Sequence, residues 1–359
     1  MWRRKFLLSR HRRSALESRH TEEREAHKLV SLRRVAPTSC RYVNSELSQI
    51  FLRCGQNEDG ALNESIPQLA KQDPDLWAAS VIFIASNHKG NFGPVTDTRF
   101  TIQSIVKILI YAYAASHLGV AQVSDRVKCR GFAVPYNSDK TTEGCAPNVC
   151  LNSGALTACA MILKLVHPKA KQWLHVFYTF RSFVQKICGG DIIECDYDTY
   201  HSEISTAASN RAILAKLSKC GTLPADVNTE DVLCFYTSCC SLLVNTQHLA
   251  NMGLVLAKTG KNESGKQVLE PRVAQSCLAQ MMQAGLYEQS GDFFAITGLL
   301  AKSGVSGGVV AVAHKKIAIG LFSPRLNAYG NSARAVQFIR ELSVTIPGIH
   351  QLAEDELEI

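Results

Sequence analysis

Two kinds of apolar spacing alternate along the chain. Residues 76–85, LWAASVIFIA, form a continuous apolar run with β-branched and aromatic residues at its centre, the pattern of a buried strand. Residues 86–93 supply turn formers, and Arg99-Phe100-Thr101-Ile102 leads into a helix expected to start near Ser104 and run through Ala115. From about 127 to 285 the spacing is helical, over 156–166, 171–188, 206–220, 231–260 and 270–285. Strand patterning returns at 307–313 and 317–322, which flank His314-Lys315-Lys316 as a hairpin. Further helices are expected over 45–53 and 332–342.

Strand and helix at both ends therefore bracket a helical insert. Two sequence-distant ends must build one sheet, so the expected fold is α/β with an inserted all-α lobe. The division expected is a basic, partly helical segment over 1–60, the first half of the α/β domain over 61–125, the helical lobe over 126–284, and the second half over 285–359.

Composition narrows the function classes. The chain is 46% hydrophobic and 19% charged, ordinary for a globular enzyme. Its longest apolar run, after Lys107, is broken by Ser116-His117, short of the ~18 residues of a membrane helix, so no integral membrane segment is expected. Net charge is +8, but residues 1–13 hold six Lys or Arg and no acid, while later segments are nearly balanced. A nucleic-acid-binding surface is not implied. The Arg-rich, Ser-containing start resembles a mitochondrial transit peptide, although Glu17, Glu22, Glu23 and Glu25 soon restore acidity; mitochondrial location is expected, with the cytoplasm as the alternative. The 13 cysteines include no paired CxxC elements, so no metal is expected. Their odd count, with no secretory leader in view, fits free buried thiols in a reducing compartment.

Ser104-Ile105-Val106-Lys107 is an S-x-x-K motif at a helix start. One helical turn brings the amine towards the hydroxyl, where a neutral lysine can take the serine's proton and the helix N-terminus favours developing negative charge. Alone, the spacing reads rather as a helix cap followed by an exposed lysine. Lys302-Ser303-Gly304, at the entry to the C-terminal hairpin, matches the K-[ST]-G element that accompanies S-x-x-K in penicillin-binding proteins and β-lactamases. The two motifs in that order, with a helical insert between, point to serine acyl transfer.

From Ile66 to about Gly330 the chain resembles the glutaminase family. The resemblance is carried by Ile66-Pro67-Gln68-Leu69-Ala70 with Asp75-Leu76-Trp77, by Phe100-Thr101-Ile102-Gln103 before the nucleophile motif, by Asn152-Ser153-Gly154-Ala155, by Gly285-Leu286-Tyr287 with Ser290-Gly291, and most specifically by Ala301-Lys302-Ser303-Gly304-Val305-Ser306-Gly307-Gly308. It implies a β-lactamase-like fold, mostly antiparallel, with helices flanking the sheet. It also implies hydrolysis of L-glutamine to glutamate and ammonia, with water as second substrate, no cofactor, and a homo-oligomer (dimer or tetramer). By position, Ser104 would be the nucleophile, Lys107 its proton partner and Tyr287 a second acid/base group. Backbone N–H groups of Ser104 and Val305 would form the oxyanion hole. Gln103, Asn152, Glu203, Asn210 and Tyr236 would hold the amino acid, together with Tyr287 and Val305. An α-ammonium calls for a carboxylate such as Glu203.

Three positions depart from the family. Ser65 stands where the family has a tyrosine that contributes to the substrate site. Ala208-Ser209 replace an Asp-Arg pair present in some members, and Asn148-Val149 replace an Asn-Pro. The departures at Ser65, Ala208 and Ser209 leave open a degenerate relative that binds glutamine or a partner without turnover. The two motifs by themselves would also suit a penicillin-recognising hydrolase, which does not explain Glu203, Asn210 and Tyr236 together.

Overall fold

The computed structural model describes residues 40–131, 144–346 and 348–350; the Arg-rich start lies outside them. Helix α1 (Cys40–Gly55) precedes strands β1 (Ala78–Phe83), β2 (Lys89–Phe92) and β3 (Phe100–Thr101), and α2 (Val106–Leu118) follows. The lobe then contains α3 (Asn152–Met161), α4 (Trp173–Ile187), α5 (Tyr197–Ser205), α6 (Ala208–Lys219) and α7 (Thr229–Cys240). The chain continues through β4 (Leu243–Val244), α8 (Thr246–Ala257), α9 (Pro271–Ala284), α10 (Ser290–Thr297), β5 (Leu300–Ser303), β6 (Gly308–Ala313), β7 (Ile317–Phe322) and α11 (Ala333–Thr345).

Five strands form one sheet in the order β2-β1-β7-β6-β5, every pairing antiparallel. β1 pairs with β7 across the length of the chain, Ala78 opposite Phe322 and Phe83 opposite Ile317. The expected joining of distant ends is thus realised, with helices flanking the sheet in the β-lactamase-like manner.

Period two sorts the sheet's side chains. Ala79, Val81, Val309, Ala311, Ile319 and Leu321 face a core shared with α1 and α11, including Leu47, Ile50, Phe338 and Ile339. Ile82, Val310, Val312, Ala318 and Phe322 face the other core, beneath α8. Both faces are covered, so these strands read as unbroken apolar runs rather than alternating ones. Small residues bring α8 close. A Cβ on Gly320 would overlap the Thr246 carbonyl oxygen, and Ser80 Oγ lies 2.9 Å from Thr246 Oγ1.

Two local expectations are corrected. The helix expected over 231–260 is two helices with β4 between them. Val244 pairs with Phe100, and Asn245 then caps α8 by accepting the His248 N–H at 2.9 Å while its own N–H donates to His248 Nδ1. A reciprocal cap restarts a helix rather than continuing one. The turn expected over 86–93 contains β2, an edge strand whose exposed Lys89 and Asn91 hide the apolar signal. No helix among the described residues is long and apolar enough to cross a membrane.

Candidate active site

The turn that carries Ser104, the expected nucleophile, is fixed from three sides. Gln103, Ser104 and Ile105 form a single 3-10 turn that runs into α2, all three side chains buried. From one side, β3 pairs with β4 and the Ile102 N–H donates to Leu242 O at 2.8 Å. From below, Phe100 stacks on Phe322 with ring centroids 4.0 Å apart. From the third side comes the K-S-G strand: a Cβ on Gly304 would lie 2.8 Å from Ile102 O and 3.2 Å from Gln103 Cβ. Only glycine fits there, and Val305 follows it in the turn between β5 and β6, which places Val305 beside the nucleophile turn.

Gln103 and Tyr287 both adopt left-handed backbone, with φ of 49° and 56°. Neither is glycine, and such conformations cost of order 1–3 kcal/mol each, held in place by surrounding structure. The strain falls next to Ser104 and at the expected acid/base tyrosine.

Lys107 is fully buried in the first turn of α2. Burial pushes its amine below the usual lysine range, the field of Tyr287 opposing that shift and that of Lys302 adding to it. Its Nζ donates to Asn152 Oδ1 at 2.6 Å and to Cys150 O at 3.1 Å; the described hydrogen bonds include none between it and Ser104 Oγ. Asn152 passes the connection on, its Nδ2 donating to Asn210 Oδ1 at 2.9 Å. Asn152 can stand there because Gly154 lets α3 begin against Asn148, whose carbonyl a Cβ would overlap.

Glu203, on α5, accepts from Gln103 Nε2 at 2.6 Å. Burial pushes its carboxyl up to about 7, partly offset by that hydrogen bond. Gln68 supports α5 from outside, its Nε2 donating to Ser202 Oγ at 2.7 Å and to Asp198 O. Tyr236, on α7, is buried, and its hydroxyl is held well above the usual phenol range by burial, by Cys240 and by the fields of Glu203 and Tyr287. All the residues expected by position thus converge on one region.

Two groups were not singled out as site residues. Lys302 is fully buried on β5, its Nζ 3.4 Å from the Tyr287 hydroxyl and 2.6 Å from Ser303 O; burial lowers it to about 8. The K-S-G motif flagged it as part of a pattern without giving it a partner. Cys240 hydrogen-bonds Tyr236 and lies within the fields of Glu203, Lys107 and Lys302. Its signal was the four-residue spacing from Tyr236, which puts both on one helix face.

Ser65, exposed, donates from its hydroxyl to Asn63 Oδ1 at 2.7 Å and so turns back onto its own loop. Ala208 and Ser209 open α6, and Arg211 on the next turn pairs with Glu230 at 2.9 Å. Asn148 is buried, holding Arg130 O and the Leu151 N–H, so no proline is needed to shape that loop. No group of three or more metal-binding side chains occurs among the described residues.

Comparisons with known proteins bear on the family. The chain is 31% identical over 306 residues to glutaminase 1 of Halalkalibacterium halodurans, covering 83% of this chain and 95% of that one. It is 32% identical over 307 residues to glutaminase 2 of Bacillus subtilis, covering 84% and 96%. Two Caenorhabditis elegans relatives are longer; at 32% and 33% identity, the chain spans about half of each, 53% and 51%. Among solved structures, Mglu in its native form superposes with a TM-score of 0.79 at 29% identity, over 88% of this chain and 75% of that one. Mglu in its glutamate form gives 0.78 over 90% and 72%. The family model described as Glutaminase matches residues 60–348, and the chain belongs to the glutaminase family.

Proposed function

We propose that the chain hydrolyses the side-chain amide of L-glutamine through an acyl-enzyme on Ser104. The observation that carries this is the 2.6 Å contact between Gln103, the residue preceding the nucleophile, and the buried Glu203 carboxylate. It sets an ammonium-binding group one residue from the attacking hydroxyl, as a free amino acid requires. The chain from Lys107 through Asn152 to Asn210 supplies amide donors for the α-carboxylate.

In the first step Ser104 Oγ attacks the side-chain amide carbon. The buried, readily neutral Lys107 takes the hydroxyl proton, and the backbone N–H groups of Ser104 and Val305 hold the oxyanion. The C–N bond breaks, and the ammonia leaves with a proton relayed by Lys107 or Tyr287. Water then adds to the ester, glutamate departs, and Ser104 regains its proton.

A coupled ammonia-release assay with glutamine, set against a chromogenic β-lactam, tests the reading. Ammonia from glutamine with an intact β-lactam is the expected result; no turnover of glutamine overturns it. The Arg-rich start supports mitochondrial targeting, which a fusion of residues 1–30 to a fluorescent protein tests. The family resemblance supports self-association, which sedimentation of the full chain tests.

A further inference from the structure

A cavity of about 630 Å³ adjoins the site at Tyr287. Its walls include Ala61, Asn63, Glu64, Tyr287, Glu288 and Ala328, and none of Gln103, Asn152, Glu203 or Asn210. It therefore shares Tyr287 with the proposed site and none of the residues proposed to hold the amino-acid end of the substrate. Ammonia needs no such room: a molecule of that size occupies roughly 30 Å³. Cavities of about 300–1,000 Å³ are the size that takes a drug-sized ligand. Ser65, next in sequence to the lining residue Glu64, turns its short side chain back onto Asn63.

Charge narrows the occupant. Glu64 and Glu288 stand on the walls and are exposed, and among the described residues no lysine or arginine lines the cavity. A leaving amine with a second positive charge fits this surface, and one carrying a carboxylate is repelled by it.

We infer that the cavity beside Tyr287 is a leaving-group subsite and that this enzyme also hydrolyses γ-glutamyl amides of aliphatic diamines. The inference rests on the acyl-enzyme reading above and extends its substrate class. The steps balance without a further reactant. The bond from Ser104 Oγ to the γ-carbon forms, the bond to the substituted nitrogen breaks, and the serine proton goes to that nitrogen, so a free diamine leaves through the cavity. Water then cleaves the ester to glutamate.

The test measures initial rates of the full chain on four compounds: glutamine, the γ-glutamyl amide of 1,4-diaminobutane, γ-glutamyl-glutamate, and glutaminyl-glycine, which is extended at the α-carboxylate instead. The diamine amide is expected within about tenfold of glutamine in kcat/KM and at least about tenfold above γ-glutamyl-glutamate. Ala328→Trp, which fills the cavity from an exposed wall position, is expected to lower the diamine amide about tenfold or more while glutamine stays within about twofold. Glutamine turnover also reports that the variant is folded. Cleavage of glutamine without the diamine amide overturns the inference and leaves the proposed function standing. Preference for glutaminyl-glycine, or an equal loss on both amides in Ala328→Trp, overturns it as well. Cleavage of the diamine amide without glutamine upholds the inference and corrects the substrate assignment; cleavage of none of the four overturns both readings.

Discussion

Lys302 Nζ lies 3.4 Å from the Tyr287 hydroxyl and 4.5 Å from the centroid of its ring, so one buried amine faces both the oxygen and the π-face of the same side chain. If Tyr287 moves a proton as proposed, this amine as a cation would stabilise negative charge developing on the oxygen. Burial brings this amine to about 8, so its charge is present below that pH and lost above it. Lys302→Met is expected to keep the fold and lower kcat by about 100-fold or more. A pH–rate profile checks the cause: the alkaline fall near 8 in the wild type is expected to vanish in the variant.

Ser104→Ala removes the covalent path. Turnover is expected to fall by several orders of magnitude, with glutamine binding retained. Steady-state rates beside calorimetric binding measure both. A variant that kept more than about a tenth of the activity would exclude Ser104 as the nucleophile.

Glu203 carries opposite demands. Its carboxyl stands near 7 in the empty site, and only the ionised form attracts an ammonium. Glutamine affinity is therefore expected to weaken as pH falls from 8 to 6, and Glu203→Gln to bind about 1.5–3 kcal/mol more weakly with no such slope. Stability runs the other way. The folded-state value lies above the ordinary 4.5, so the cost of a buried carboxylate is absent below 4.5 and complete above 7. The unliganded glutamine variant is expected to melt higher than wild type at pH 8 and equally at pH 4. Equal melting at pH 8 would contradict this account.

Gly304→Ala tests the positioning of the nucleophile turn. The new Cβ meets the Ile102 carbonyl oxygen at 2.8 Å and Gln103 Cβ at 3.2 Å, and backbone must give way. A loss of about 1–3 kcal/mol of stability is expected, with a fall in kcat larger than the change in KM. Denaturant titration and steady-state kinetics separate the two effects.

Ser65→Tyr tests the departure from the family. The serine hydroxyl is committed to Asn63, whereas a phenol reaches farther by roughly the span of its ring. Regaining a hydrogen bond worth about 0.5–3 kcal/mol is expected to raise kcat/KM for glutamine several-fold. Matched kinetics of both proteins provide the check, and a slower variant would show that another group fills that role.

The three central strands β1, β6 and β7 and most helices were legible because buried sheet and amphipathic helix leave different periods in a sequence. Ser104 and Lys107 were legible because their chemistry is local, one turn apart. What escaped was non-local. The break after Cys240 depends on Val244 finding Phe100 across the fold, and no window around residue 244 contains that partner. Lys302 was visible as a motif, yet its contact with Tyr287 exists only once β5 is seated. The same holds for Glu203, which spacing alone leaves as a solvated helix residue and which acquires its meaning from Gln103, a hundred positions away. Family resemblance set both residues around the substrate, and only the fold pairs them.

The pairing of β1 with β7 has a consequence for synthesis. The partners stand about 240 residues apart, Ala78 with Phe322. As the chain leaves the ribosome at about 5–20 residues per second, β1 emerges long before β7 exists to cover it. For tens of seconds a fully apolar strand has only the short β2 on one edge and nothing on the other. Such an edge is a template for the wrong partner. The arrangement that brings both ends of the chain into one sheet thus leaves that edge of the nascent protein uncovered until the last strand arrives.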